Sequence, residues 1–199
     1  MSIYKCHTAI TAPQPSVQIM RTLETNLGFI PNVFAIIAES PSALKGLVDL
    51  HTCFTDSTFT AQEQQIILLA TSTENECVYC VAGHTAFAKS IGMDDGIVQA
   101  MRNKQVVPHH RFNALSNTVR ALIQCRGQIS AEQLNNFFAV GYTKAQLLEL
   151  VMGICVKTFT NYISNALTIP LDQAFAEYAW QRPNDRAREE ARAKAEHAA

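Results

Sequence analysis

TAQEQQIILLA, residues 60–70, is the stretch that decides the fold. Thr60 and Glu63 form a capping box, in which the hydroxyl and the carboxylate each accept a free N–H at a helix start. The apolar run of residues 66–70 follows after two glutamines, as expected of a buried helix. The same pattern recurs at residues 130–133 and 143–146. Three helix starts of one kind therefore predict a helical protein.

Further start and stop signals divide the rest of the chain into helices. Ser40 precedes a proline at a first helical position, and glycines that can end a helix follow apolar stretches at 92, 127 and 141. No segment shows strand alternation with hairpin turns. We predict an all-α, single-domain helical bundle, with helices at about 16–27, 41–54, 61–72, 76–90, 94–103, 109–126, 131–140, 144–167 and 172–180.

The composition indicates a protein with one hydrophobic core and disfavours polyanionic partners. The chain has 199 residues, 48% of them hydrophobic, which is enough for one core, and a formal charge of −1 that disfavours nucleic acid or an anionic membrane as partner. The N-terminus lacks a secretory signal, and no segment is apolar enough to cross a bilayer. We expect a soluble, cytoplasmic domain over residues 1–181, with a motif core at about 41–104, and a charged tail over 182–199 that is a solvated helix or disordered.

Cys77, Cys80 and His84 form the motif that carries chemistry. Their spacings of three and four residues put all three side chains on roughly one face of a helix. A thiol is reactive as its thiolate, which a neighbouring base, cation or helix N-terminus favours. The motif therefore predicts a thiol oxidoreductase.

Two arguments compete over which thiol attacks. With Asn75 or Thr73 as the expected N-cap, Cys77 lies near the helix start, where the helix dipole favours its thiolate. Cys80 lies one turn from His84, which can move a proton during the reaction as the dipole cannot. We give the histidine more weight.

Two other interpretations of the pair are less favoured. Buried cysteines commonly pack as small hydrophobic residues, which is the interpretation that we give to Cys6, Cys53, Cys125 and Cys155. A structural zinc site needs a fourth ligand, and no second Cys/His pair stands at a usual spacing. We predict neither a metal nor a cofactor.

With this motif the chain resembles the carboxymuconolactone decarboxylase-like superfamily, and within it the alkylhydroperoxidase D-like, peroxidase-related branch. The resemblance is specific at residues 77–86 and is supported at 28–34, at 39–41, and between 160 and 172. It implies an all-helical fold that assembles into homo-trimers or homo-hexamers, and a peroxiredoxin-type activity toward hydroperoxides.

The resemblance also implies a division of roles between the two cysteines. Cys80 attacks the peroxide and becomes a sulfenic acid, Cys77 condenses with it to a disulfide, and an external dithiol or thioredoxin-like reductant reopens the disulfide. His84 assists the proton transfer. Decarboxylase members of the superfamily lack the paired cysteines.

The sequence departs from the peroxidase pattern at Gln65. The family has a glutamate there, twelve residues before the first cysteine, and a carboxamide cannot accept and return a proton as a carboxylate does. Glu63 is a poor substitute because its capping role already explains it, whereas Glu149 is a candidate from another helix. Tyr79 packs beside the motif or donates a hydrogen bond to the site.

The sequence leads to three hypotheses about the function. The leading hypothesis is a peroxidase-like thiol oxidoreductase of reduced activity or altered substrate, in which Gln65 acts only by hydrogen bonding. The second is a redox-sensing or disulfide-exchange protein with little turnover. The third is a decarboxylase-like carbon-acid enzyme, whose activity would survive loss of both cysteines.

Overall fold

A computed structural model describes residues 4–183 and 185, and the regular structure of these residues is helical throughout. The all-α prediction is confirmed. The elements, in chain order, are α1 (Gln14–Leu27), α2 (Asn32–Ile37), α3 (Pro41–Thr55), α4 (Ala61–Glu74), α5 (Val78–Ser90), α6 (Asp95–Arg102), α7 (His110–Gln124), α8 (Ala131–Ala139), α9 (Lys144–Leu167) and a 3₁₀ helix (Gln173–Tyr178).

The predicted helix starts carry the predicted caps. Thr60, Ser130 and Thr143 each form a complete capping box. Ser40 caps α3 through its side chain, with proline in the first turn. These local hydrogen bonds satisfy N–H groups that would otherwise lack partners, and so fix where each helix begins.

Helix α4 lies at the centre of the bundle. Its residues 66–73 are all buried, and it packs against α5, α6, α7 and α9. A helix that is surrounded on all sides has no polar face to keep in water, which explains the unbroken apolar run that follows its cap. This run holds the segment just before the cysteine motif firmly in the core.

Close packing of α9 against its neighbours depends on Gly153. A Cβ atom at this position would lie 2.5 Å from a ring carbon of Phe54 on α3 and 3.0 Å from a methyl carbon of Ile67 on α4. Both distances are shorter than carbon atoms tolerate. The absence of a side chain at Gly153 therefore lets α9, which carries several site residues, lie directly on α3 and α4.

Some predicted features differ from the structure. The short helix α2 was not predicted, since its N-cap Pro31 offers no side-chain signal. The last predicted helix is a shorter 3₁₀ helix. The four cysteines outside the motif are exposed, so the expectation that they pack in the core is wrong. Most of the charged tail lies outside the described residues, and the domain bounds and the oligomeric state stay predictions.

Within the described residues, no single helix combines the length and hydropathy needed to cross a membrane, and α8 with α9 meets them only as a pair bent by 110°.

Candidate active site

Cys77 and Cys80 lie where α5 begins, but not as predicted. Cys77 is itself the N-cap, and its Sγ accepts a hydrogen bond from the backbone N–H of Cys80 at 3.4 Å. The expected caps Asn75 and Thr73 belong instead to the end of α4. Cys80 therefore occupies the first turn of α5, where the helix dipole favours an anion. The dipole argument that favoured Cys77 now favours Cys80.

The surroundings of Cys80 stabilise its thiolate. Its Sγ lies 3.8 Å from the hydroxyl of Ser164 and 4.0 Å from that of Thr160. Burial acts to raise the pKa of Cys80, but hydrogen bonding from Cys77, the positive charge of Lys157 and the hydrogen bond from Ser164 outweigh burial and lower it. Cys80 is thus the cysteine that this environment prepares as a nucleophile.

Cys77 has the opposite character. Its hydrogen bond to Cys80 and its burial both raise its pKa far above the ordinary value for a thiol. Both cysteines are buried and free of disulfide bonds. One protonated thiol therefore donates to one thiolate, which is the arrangement expected of a resolving cysteine beside an attacking one.

His84 lies between two polar side chains from other helices. Its Nδ1 is 2.9 Å from Oε1 of Gln65, and its Nε2 is 2.7 Å from Nζ of Lys157. An ammonium group can only donate, so Nε2 must accept and Nδ1 must carry the proton that Gln65 accepts. Burial, followed by the charges of Lys157 and His51, lowers the pKa of His84 well below its usual value. His84 is therefore a neutral imidazole with both nitrogens engaged.

Lys157 is the main site residue that the sequence reasoning missed. It comes from α9, is only 7% exposed, and lies 73 residues along the chain from its partner His84. A signal was available, because a single lysine directly follows the apolar residues 150–156 within a long helix. A buried lysine in such a run is rare unless it is paired or functional.

The site opens onto a cavity of about 530 Å³. Cys80, His84, Gln65 and Lys157 all contribute to its surface. His51, which the sequence left unassigned, joins them from α3, and burial together with Lys157 lowers its pKa to about 4. Apolar side chains supply much of the remaining wall: Ile19, Leu23, Leu27, Val33, Phe34, Leu47, Val48, Leu68, Phe87, Val156 and Phe175. The cavity therefore suits an organic molecule that reaches the Cys80 thiol.

Tyr79 lines the cavity with its ring but directs its hydroxyl elsewhere. The hydroxyl donates to Asp172 and accepts from the backbone N–H of Val33 at 3.3 Å. Burial, followed by the hydrogen bond to Asp172, raises the pKa of Tyr79. Tyr79 thus ties α5 to α2 and to the segment before the 3₁₀ helix.

Neither candidate glutamate takes the place of the missing relay carboxylate. Glu149 accepts hydrogen bonds from the backbone and the hydroxyl of Thr58, so its expected approach to the site is wrong. Glu63 accepts from Thr60, Arg111 and Tyr142. Among residues 4–183 and 185, no three His, Cys, Asp or Glu side chains gather as a metal-ligand set.

Comparison with known proteins agrees with this fold. Residues 41–124 match the model of the carboxymuconolactone decarboxylase family. A solved structure described as an alkylhydroperoxidase AhpD core, an uncharacterized peroxidase-related protein from Ralstonia eutropha JMP134, superposes with a TM-score of 0.78 at 20% identity, covering 87% of this chain and 94% of that one. No curated protein matches the chain.

Two further solved structures are similar to this chain. One is an uncharacterized peroxidase-related protein from Silicibacter sp. TM1040, with a TM-score of 0.73, 18% identity, and coverage of 88% of this chain and 97% of that one. The other is the debrominase Bmp8, with a TM-score of 0.75, 18% identity, and coverage of 89% and 96%.

These matches confirm the resemblance predicted from the sequence. Residues 41–124 resemble the carboxymuconolactone decarboxylase family, and the chain has the alkylhydroperoxidase D-like fold. The debrominase indicates that this fold is not confined to one activity.

Proposed function

We propose that this protein is a thiol peroxidase that reduces organic hydroperoxides through Cys80 and Cys77. The observation that carries the proposal is the asymmetry of the pair: Cys80 reaches the cavity with a lowered pKa, while Cys77 is a protonated thiol in contact with it. An asymmetric pair fits sequential chemistry, in which one sulfur attacks and the other resolves.

The reaction proceeds in three steps. The Cys80 thiolate attacks one oxygen of the hydroperoxide, the O–O bond breaks, and the alkoxide takes up a proton and leaves as an alcohol. Cys77 then attacks the Cys80 sulfenic acid, forming a disulfide and releasing water. An external dithiol exchanges with that disulfide and restores both cysteines. The peroxide is reduced and the dithiol is oxidised by the same two electrons.

The lining of the cavity favours an organic hydroperoxide over hydrogen peroxide. Most of the wall is hydrocarbon, and burying an alkyl or aryl group against it contributes about 25 cal/mol per Å² of apolar surface removed from water. Hydrogen peroxide has no such surface to bury. We therefore expect a lower KM for cumene hydroperoxide than for hydrogen peroxide.

A turnover assay tests the proposal. Purified protein, cumene hydroperoxide and excess dithiothreitol should yield many equivalents of the alcohol, and Cys80→Ser should abolish the reaction. In the absence of dithiothreitol, Cys77→Ser should convert a single equivalent of hydroperoxide and leave a sulfenic acid at Cys80 that dimedone labels. Cys53→Ser is the matched control, since Cys53 is exposed and outside the motif.

The other outcomes identify the alternative functions. Oxidation of the pair without repeated turnover would favour a redox sensor or a disulfide-exchange protein. Activity on a carbon acid that survives replacement of both motif cysteines would favour a decarboxylase-like enzyme. Turnover of 2,3,4-tribromopyrrole, the ligand bound to a Bmp8 variant, in place of cumene hydroperoxide would favour a debrominase.

A further inference from the structure

The buried ammonium of Lys157 has no carboxylate partner. Within residues 4–183 and 185, no Asp or Glu forms an ion pair with it. The groups that share the site with it are the imidazoles of His51 from α3 and His84 from α5, the amide of Gln65 from α4, and the Cys80 sulfur. A buried cation needs a counter-charge, and the Cys80 thiolate is the group here that can supply it.

The peroxide step needs a proton that Gln65, His84 and Tyr79 do not offer. Gln65 has no acidic proton to give. The one ring proton of neutral His84 lies on Nδ1 and is held by Gln65, while its Nε2 faces the ammonium. The hydroxyl of Tyr79 donates to Asp172 instead. Lys157 lines the same cavity as Cys80 and carries acidic protons.

We propose that Lys157 is the proton donor of the peroxide step and the counter-ion of the attacking thiolate, with His84 and Gln65 holding its amine in position. This inference rests on the proposed peroxidase function. It makes Lys157 a catalytic residue that performs the task assigned to a carboxylate relay in proteins with a glutamate at position 65.

The charges balance at every stage. Before reaction the site holds one thiolate and one ammonium. Attack on ROOH breaks the O–O bond, the sulfur becomes a sulfenic acid, and the departing alkoxide takes a proton from Lys157, so that sulfenic acid, amine and alcohol are all neutral. Disulfide formation releases water without further charge. When a dithiol reduces the disulfide, the Cys80 thiol returns its proton to the amine.

Two substitutions separate the two roles of Lys157. Lys157→Met removes both the charge and the proton. Lys157→Arg keeps a positive charge, but a guanidinium does not release its proton in proteins. Lys144→Met is the matched control, because Lys144 lies exposed at the start of the same helix. Thermal unfolding of each variant verifies the fold, and the arginine variant keeps the test decisive if the methionine variant does not fold.

The first measurement is the pH dependence of Cys80 alkylation by iodoacetamide, with the labelled cysteine located by mass spectrometry. We expect the midpoint to move to higher pH in Lys157→Met and to stay near that of the unsubstituted protein in Lys157→Arg. An unmoved midpoint in a folded Lys157→Met protein would overturn the counter-ion role.

The second measurement compares two oxidants whose leaving groups differ in their need for a proton. Single-turnover oxidation is followed above the alkylation midpoint, where Cys80 is thiolate in every variant. With tert-butyl hydroperoxide we expect both Lys157 variants to be about 10²–10⁴-fold slower, the usual contribution of general acid catalysis. With peracetic acid, which expels a stable carboxylate, the same variants should react at nearly the unsubstituted rate.

Each remaining result contradicts a specific claim. Equal rates for the unsubstituted protein and both variants, or equal losses with both oxidants, would overturn the proton-donor role while leaving the peroxidase proposal standing. Unsubstituted protein that does not reduce tert-butyl hydroperoxide with excess dithiothreitol would overturn the peroxidase proposal, and this inference with it.

Discussion

Acidification should destabilise the protein through His51. This side chain lies in the cavity wall, and burial followed by the charge of Lys157 lowers its pKa from 6.5 to about 4. In that pH range the unfolded chain binds a proton at His51 that the folded protein does not bind. His51 therefore costs the folded protein little stability above pH 6.5, and the loss of unfolding free energy grows as the pH falls toward 4.

The size of the penalty follows from the two pKa values. A tenfold change in proton affinity corresponds to about 1.4 kcal/mol, so the gap between 6.5 and about 4 amounts to about 3 kcal/mol once His51 is fully protonated. Between pH 7 and pH 5 the linkage relation gives a loss of about 2 kcal/mol from His51. His84, whose pKa is also lowered, acts in the same direction.

Urea unfolding at pH 7 and pH 5 measures this effect. The His51→Gln variant should lose about 2 kcal/mol less unfolding free energy than the unsubstituted protein over this interval. His110→Gln, at an exposed position, is the control and should behave as the unsubstituted protein. If His51→Gln loses as much stability as the unsubstituted protein, the account of a neutral histidine beside Lys157 is wrong.

Three further predictions concern the neighbourhood of the site. Gln65→Glu should replace a neutral hydrogen bond by a charge-assisted one of about 1.5–3 kcal/mol, which would raise the pKa of the imidazole it faces by about one to two pH units in an NMR titration. Gly153→Ala should cost about 1–3 kcal/mol in urea unfolding because its new methyl group meets Phe54, whereas Gly46→Ala, which meets open space among the described residues, should stabilise α3 by about 0.5–1 kcal/mol. Glu63→Gln should lower the unfolding free energy by about 1.5–3 kcal/mol yet leave kcat with cumene hydroperoxide unchanged, and a large loss of kcat would give this carboxylate a catalytic role.

Features set by local hydrogen bonds were predictable from the sequence. Each capping box at Thr60, Ser130 and Thr143 has a Ser or Thr followed three positions later by a Glu or Gln. The starts of α4, α8 and α9 could therefore be predicted directly from the sequence. The N-cap of α5 was predicted wrongly because Cys77 belongs to a residue type that seldom caps a helix. Short helix α2 has no comparable signal.

The site was only partly predictable, because some of its residues are close together in the sequence and others are far apart. Cys77, Cys80 and His84 stand within eight residues, so their spacing already indicated a redox motif. Lys157 reaches His84 through the packing of α9 against the other helices, which Gly153 permits at α3 and α4, and periodicity carries no information about such packing. Glu149 was a candidate for the site, but its carboxylate bonds to Thr58 instead, because its position in the sequence does not determine the direction of its side chain.

The hydrogen bond from the Cys80 N–H to the Cys77 sulfur makes one atom serve both a helix start and a redox pair. Forming a disulfide changes the electron density and the direction of that acceptor, so the amide proton of Cys80 must enter a new environment. The chemical shift of this one backbone amide therefore reports whether the cysteine pair is reduced or oxidised. It can be measured in the intact protein without any added dye.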